Sequence, residues 1–526
     1  MTTTNREVLA RYFSNTESPC FALINLPETV KGALFARYSR SPKSLRQLFL
    51  DEFAPDLAGA AEAGGGSVGE ERAEKLYGRI FNDYGDDSVA QLGGVHLACE
   101  NVSNILTKVL ERGRLAAYLE QSTRYIPYTD RTGDVWRYHV PSELDGHPLR
   151  AMYVAALDAT FETYAKWIDP LREHFEKKYP KQPGDSDAVY RSATRAKALD
   201  TLRGLLPAAT QSNVGIYATG QAYEALILRM RAHPLAEVRN YADLMLAELR
   251  KVIPAFLTRV DQPERGGAWT SYLADARAKT LAIGQRLSAE AEPGERPEVT
   301  LSDFDPDGEV KVIAAALYTS TDLPDDQLLE IARSMSPADR AAVLAAYVGD
   351  RTNRRHKPGR AFERTSYRFD ILTDYGAFRD LQRHRLMTID WQSLTTKHGH
   401  IRPEAIIEAG AVADWDAAMA RSAELFDALS ASGLRDAAQY AVSLAYRVRF
   451  IMDMNAREAM HVIELRTAPA GHPAYRRVCQ QMHTLIDERA GHHAIAASMK
   501  FTDHSEIELE RLQEERRLEK KRQDRT

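Results

Sequence analysis

Over most of the chain, apolar residues recur at three- and four-residue intervals, the period of helices that bury one face. Two stretches depart from that period. Thr365 to Leu372 alternates apolar and polar positions, as a half-buried strand does. Thr373 or Asp374 then offers a helix cap, and Phe378, Leu381 and Leu386 follow on one apolar face. Val95 to Cys99 predicts a weaker strand, followed by Asn101 or Ser103 as cap and by Ile105, Leu106, Val109 and Leu110. Both passages therefore read strand, cap, helix. Each predicted helix runs into arginines: Arg112-Gly113-Arg114 in the first passage and Arg383-His384-Arg385 in the second.

Punctuation divides the pattern. Ala63-Gly64-Gly65-Gly66-Ser67 reads as a surface loop, since it lacks the Gly-Lys-Ser/Thr ending of a phosphate-cradling loop. Ala289 to Pro297 is polar and proline-bearing and marks the best domain boundary. The chain is thus expected to comprise a first domain over 1–288, a linker over 289–300, a second domain over 301–503 and a charged tail over 504–526. The tail carries Leu and Ile at helical spacing and reads as a solvated helix or frayed terminus rather than a partner helix.

Composition narrows the function. The 526 residues are 44% hydrophobic and 27% charged with a net charge of -5, which argues against a general nucleic-acid binder. No apolar run approaches the roughly 20 residues that span a bilayer, and the polar N-terminus does not read as a signal peptide. Cys20, Cys99 and Cys479 are scattered, which fits a reducing cytoplasm and excludes a disulfide framework. His398 with His400, and His483, Glu488, His492 and His493, have poor metal spacing, so no metal is expected. Asp305 and Asp307 flank Pro306 and read as turn chemistry.

The candidate chemistry lies in the arginine segments. Ten residues separate Arg112 from Ser122 and Arg383 from Ser393, and internal duplication explains that equality better than chance. Guanidinium forks match phosphate oxygens, and cations are favoured at a helix C-terminus. Ser122 and Arg124 would point the same way along an extended chain, as a phosphate clamp requires.

Arg112-x-Arg114, then Ser122-x-Arg124 within Glu120 to Tyr125, resembles the signature of flavin-dependent thymidylate synthases. Arg383-His384-Arg385 with Ser393 resembles a second copy. Supporting segments occur in family order: Ala36-Arg37-Tyr38-Ser39, Leu202-Arg203 to Pro207, and Asn455-Ala456-Arg457 running to Glu464-Leu465-Arg466. The resemblance implies an α/β protein of the helix-rich α+β kind, built from two tandem domains of this family. It further implies methylation of dUMP to dTMP, with FAD as cofactor and NADPH and methylenetetrahydrofolate as co-substrates.

The two copies have lost different residues. The first has Gly113 for the signature His, Thr219 and Gln221 for Asn and Arg, and Met230 where the family polarises its substrate. The second has Thr395 and Gln439 where nucleotide-binding arginines are expected. Gly85-Asp86-Asp87-Ser88 lacks a family His, and Arg355 to Glu363, with His356 and Glu363, fits its counterpart only loosely. Family enzymes are homotetramers with sites shared between subunits. Hybrid sites are therefore expected, in a pseudo-dimeric chain whose homodimer reproduces the tetramer. By resemblance, Arg466 is catalytic, and Glu120, Ser122, Arg124, Arg203 and Arg383 bind substrate. Arg383, His384, Arg385, Asn455, Arg457, His461 and Ser39 bind the cofactor. Two alternatives stay open: a different acceptor nucleotide or carbon donor, and a homologue that binds without turnover.

Overall fold

The computed structural model of the chain describes residues 3–39, 41–55, 91–124, 126–132 and 135–524. The Ala63–Ser67 loop, the Gly85–Ser88 segment and Tyr125 lie outside the described residues. Two compact units emerge: a smaller one of residues 1–102, 109–121 and 212–291, and a larger one of 103–108, 122–211 and 292–526. The larger unit thus draws segments from both repeats. The fold is helix-rich α+β with antiparallel sheets, in two tandem repeats. Among the described residues no helix is long and apolar enough to cross a membrane.

The sheet of the smaller unit runs in the order Gly94–Ser103, Gln211–Thr219, Ala116–Glu120. Val214, Ile216 and Ala218 alternate inward. Thr219 then caps the helix Gly220–Arg231, its hydroxyl accepting from Ala222 N. In the larger unit the order is Val299–Phe304, Ser366–Asp374, Arg447–Asn455, Thr388–Trp391. Tyr367, Phe369 and Ile371 face Phe450, Met452 and Met454 on the buried side. Arg449 and Arg368 pair with Asp370 and Asp453 on the other. Asn455 caps the helix Ala456–Arg466 as Thr219 does its counterpart. The two sheets share one strand order, with Val299–Phe304 added at the edge of the second.

The strand-cap-helix reading holds in both copies. Ser103 accepts from Leu106 N at the start of the helix Asn104–Leu110, and Asp374 accepts from Ala377 N ahead of Tyr375–Leu381. Both helices stop before their arginines. His384 N turns back to Leu381 O, so Leu386 leaves the expected apolar face and is 67% exposed. The tail forms the helix Leu512–Gln523, which buries none of its residues. It is nevertheless fastened to the rest of the larger unit: Arg516 pairs with Asp185, and Glu510, just ahead of it, pairs with Lys197. The reading of a wholly solvated tail is corrected to that extent.

Within the larger unit the repeats meet through matched backbone bonds. Ala208 N donates to Val442 O and Leu444 N to Leu206 O; Ala209 N donates to Tyr440 O and Ala445 N to Gly204 O. Position 208 of the first repeat corresponds to 444 of the second, and 206 to 442, so each bond has its mirror. Each repeat also makes a matched bond of its own, from Asn104 N to Thr210 O in the first and from Tyr375 N to Tyr446 O in the second. The exchange between the repeats is the isologous contact of a dimer, made inside one chain. Gly204 sits at its tightest point, where an added Cβ would lie 2.8 Å from the buried Trp415 ring and 3.1 Å from the Ala445 Cβ. Gly204→Ala is expected to destabilise the chain by about 1–3 kcal/mol through overpacking, measured by urea unfolding; an unchanged midpoint would show that the seam yields.

Candidate active site

The larger unit brings Arg124 and Arg203 of the first repeat together with residues of the second. Arg124 grips Asp200 with Nε at 2.8 Å and Nη2 at 2.6 Å, and its Nη1 donates to the Tyr475 hydroxyl at 3.1 Å. Asp200 lies on the last turn of the helix Asp187–Leu202, and Arg203 follows directly in a 3₁₀ turn. Arg203 is 3% exposed and donates to Asp380 at 3.3 Å. Its Nη2 is buried with no hydrogen-bond partner. A buried guanidinium N–H without an acceptor is costly, and an incoming anion would satisfy it.

Asp380 organises the charges. Burial pushes its carboxyl upward, but the guanidiniums of Arg383, Arg203, Arg466 and Arg124 reverse this and hold it well below the usual carboxylate range. Four arginines around the carboxylates Asp380 and Asp200 leave the cluster cationic. Its flank is a histidine pair. Arg466, at the end of the helix Ala456–Arg466, donates from Nε to His384 Nε2 at 2.9 Å. Burial, and then the charges of Arg466, His461 and Lys357, hold His384 well below its ordinary value, so the imidazole is neutral. Because Nε2 accepts, the proton sits on Nδ1, which faces Glu458 Oε1 at 3.6 Å. Burial raises Glu458 to about 7 against the pull of Lys357, Arg457 and Arg385. Burial, with Lys357, Arg354 and Arg466, lowers His461 to about 4.

The donor atoms of His384, Glu458 and His461 lie within 4.8 Å of one another, close enough for a metal. The surroundings oppose a cation: His384 Nε2 already accepts a hydrogen bond from Arg466, and Lys357, Arg385 and Arg457 crowd Glu458. Three of the other weighed histidines hydrogen-bond to the protein, whereas His400 Nδ1 is buried with no hydrogen-bond partner among the described residues. His492 meets Tyr367 OH and Asp305 O, His483 meets His504 and Ala496 O, and His493 meets Asp487. Cys479 is buried, and burial pushes its thiol up to about 12, which keeps it from serving as a thiolate.

The remaining expected residues have definite places. Ser122 and Arg124 lie in a turn, not an extended run: Ser122 Oγ accepts from Arg124 N at 3.2 Å. Asn455 is spent as a helix cap, and Arg457 donates to Pro358 O and pairs with Glu363. His356 accepts from Thr352 N in its own loop. Arg385 is exposed with no ion-pair partner among the described residues. Glu120, 7% exposed, and Ser39, whose hydroxyl donates to Ala36 O, belong to the smaller unit. Sequence reasoning missed Asp200, Asp380, Glu458, Lys357 and Tyr475. A signal existed for the first two, because Asp-x-x-Arg recurs at Asp200–Arg203 and Asp380–Arg383.

Fold and site together define a duplicated α+β protein in which residues of both repeats build one cationic site. The chain belongs to the thymidylate synthase complementing protein family, whose sequence model matches residues 34–255 and again 300–490. A UPF0159 protein of Chlamydia muridarum is 38% identical over 517 residues, covering 97% of each chain. A flavin-dependent thymidylate synthase of Clostridium tetani is 28% identical over 208 residues, 39% of this chain and 73% of that protein. A UMP/dUMP methylase of Streptomyces cacaoi solved with 5-Br dUMP aligns at 19% identity and a TM-score of 0.30, over 39% of this chain and 96% of its own, too distant to add to the argument.

The raised Glu458 has a measurable signature. A carboxyl raised on folding keeps a proton that the unfolded chain has lost, so its contribution to stability falls from its ordinary 4.5 up to about 7 and is level above. Stability of the unaltered chain minus that of Glu458→Gln, from urea unfolding at a series of pH values, is expected to decline across that window. Parallel curves would place the titration elsewhere.

Proposed function

We propose that the chain methylates dUMP to dTMP as a flavin-dependent enzyme, with methylenetetrahydrofolate as carbon donor and NADPH as reductant. One observation carries the reading: the arginines kept by the first repeat and those kept by the second act on the same carboxylate, Asp380. Each repeat lacks what the other supplies. The similarity to a flavin-dependent thymidylate synthase supports the same chemistry.

On this reading Arg203 offers its unpartnered Nη2 to the nucleotide phosphate, and Ser122 lies on the same chain segment. Arg124, already bonded to Asp200 and Tyr475, contributes charge and holds the pocket wall. Arg383 adds to the substrate face. Arg466 is the catalytic residue, its guanidinium polarising the uracil carbonyl where negative charge develops. Neutral His384 accepts from Arg466 and so fixes its orientation. The donor set fits an anionic cofactor: Arg385 has no ion-pair partner among the described residues, and Arg457, Lys357, Arg354 and half-buried His461 line the flank. Bound there, FAD supplies the redox chemistry of the reaction. Asn455 serves by setting the start of the helix that bears Arg457, His461 and Arg466. Glu120 and Ser39 are assigned to substrate and cofactor by the family resemblance alone. The assembled protein is a homodimer resembling a tetramer, in the cytoplasm.

Arg124 favours a second reading, binding without turnover, because most of its N–H groups are already engaged. The visible spectrum of the purified protein separates the two. A flavin spectrum that bleaches faster under NADPH when dUMP is present supports the enzyme, whereas a protein that takes up no added FAD overturns it. Arg466→Ala is expected to lower kcat about 100-fold or more, and Arg203→Ala to raise the KM for dUMP. Full activity in either variant removes that residue from the site.

A further inference from the structure

The smaller unit holds a cavity of about 720 Å³, within the range of small-molecule sites (roughly 300–1,000 Å³). Three of its lining residues are Gly113, Ala222 and Ala225. By the repeat correspondence these are the positions of His384, Glu458 and His461 in the second copy. The second repeat fills this space with a histidine–glutamate cluster; the first has trimmed all three side chains and left a hollow. Met230, fully buried, stands where Arg466 stands. The hollow therefore has neither the polarising guanidinium nor the acid-base groups of its counterpart.

What replaced them points to a ligand. Arg229 comes from the helix Gly220–Arg231, and Arg265 from the turn Pro263–Gly267. That turn is close-packed: a Cβ on Gly266 would fall 2.1 Å from Val260 O. Among the described residues no carboxylate pairs with either arginine. The one lining carboxylate among the described residues, Glu224, is already bonded to Arg259 at 3.0 Å. Trp269 and Leu115 stand at the rim, 52% and 73% exposed. An apolar floor, an indole at the mouth and two unpaired guanidiniums favour a flat ring that carries negative charge.

We propose that this cavity is a second, non-catalytic binding site for a planar aromatic anion. It is independent of the reaction assigned to the larger unit, because it shares no residue with that site.

The probe is 8-anilinonaphthalene-1-sulfonate, a planar aromatic anion whose fluorescence rises on leaving water, titrated into the full chain. Saturable binding with one site per chain is expected. Ala222→Glu with Ala225→His restores the second repeat's side chains and is expected to weaken binding at least tenfold. Arg265→Ala, an exposed change that leaves the fold intact, is expected to weaken it about tenfold, the value of one charge-assisted hydrogen bond. The uncharged analogue N-phenyl-1-naphthylamine should bind more weakly than the sulfonate and ignore Arg265→Ala. Arg466→Ala should leave the affinity as it was. Binding that survives both the cavity-filling pair and Arg265→Ala, or that falls with Arg466→Ala, overturns the proposal.

Discussion

The backbone exchange between residues 204–209 and 440–445 is the constraint from which the rest follows. Four N–H groups and four carbonyls on buried, irregular segments need partners, and each repeat supplies them to the other. Unmade, these bonds would leave orphaned polar groups in the interior, each costing about 1–3 kcal/mol. The seam also sets the position of Arg203, which opens the first of these segments, so that Arg203 reaches Asp380 of the other repeat. Secondary structure, seam and site are thus one construction.

Around that seam the chain leaves part of its own positive charge uncompensated. A cluster built for stability would neutralise its arginines. This one keeps Asp380 ionised under four guanidiniums and still leaves the buried Nη2 of Arg203 unsatisfied. The neutral His384 is the complement of that excess: beside so much positive charge an imidazolium would be repelled, so the ring serves as acceptor for Arg466.

Much of this was legible in the sequence, and the limits have physical causes. Alternation at Thr365–Leu372 and the Asp374 cap are local properties, read from neighbouring residues, and they appear in the structure nearly as written. The equal Arg-to-Ser interval revealed the duplication because covalent spacing survives divergence. Leu386 was misplaced because helical periodicity does not say where a helix stops; the turn from His384 to Leu381 does. The extended run that would align Ser122 with Arg124 is absent because the Ser122 hydroxyl accepts from Arg124 N and closes a turn. Asp200, Asp380 and Tyr475 were missed because their roles depend on tertiary meeting, which one chain position cannot announce.

Covalent fusion of the repeats has an evolutionary consequence. In a dimer of identical chains every substitution falls on both sides of the two-fold axis, so a change that benefits one site is inflicted on its twin. Here the mirrored bonds persist while the side chains around them differ: Trp415 fills the space by Gly204, Gln439 answers Arg203, and Gly113 answers His384. Joining the copies end to end released each from having to mutate in step with the other, while the shared seam kept both folded.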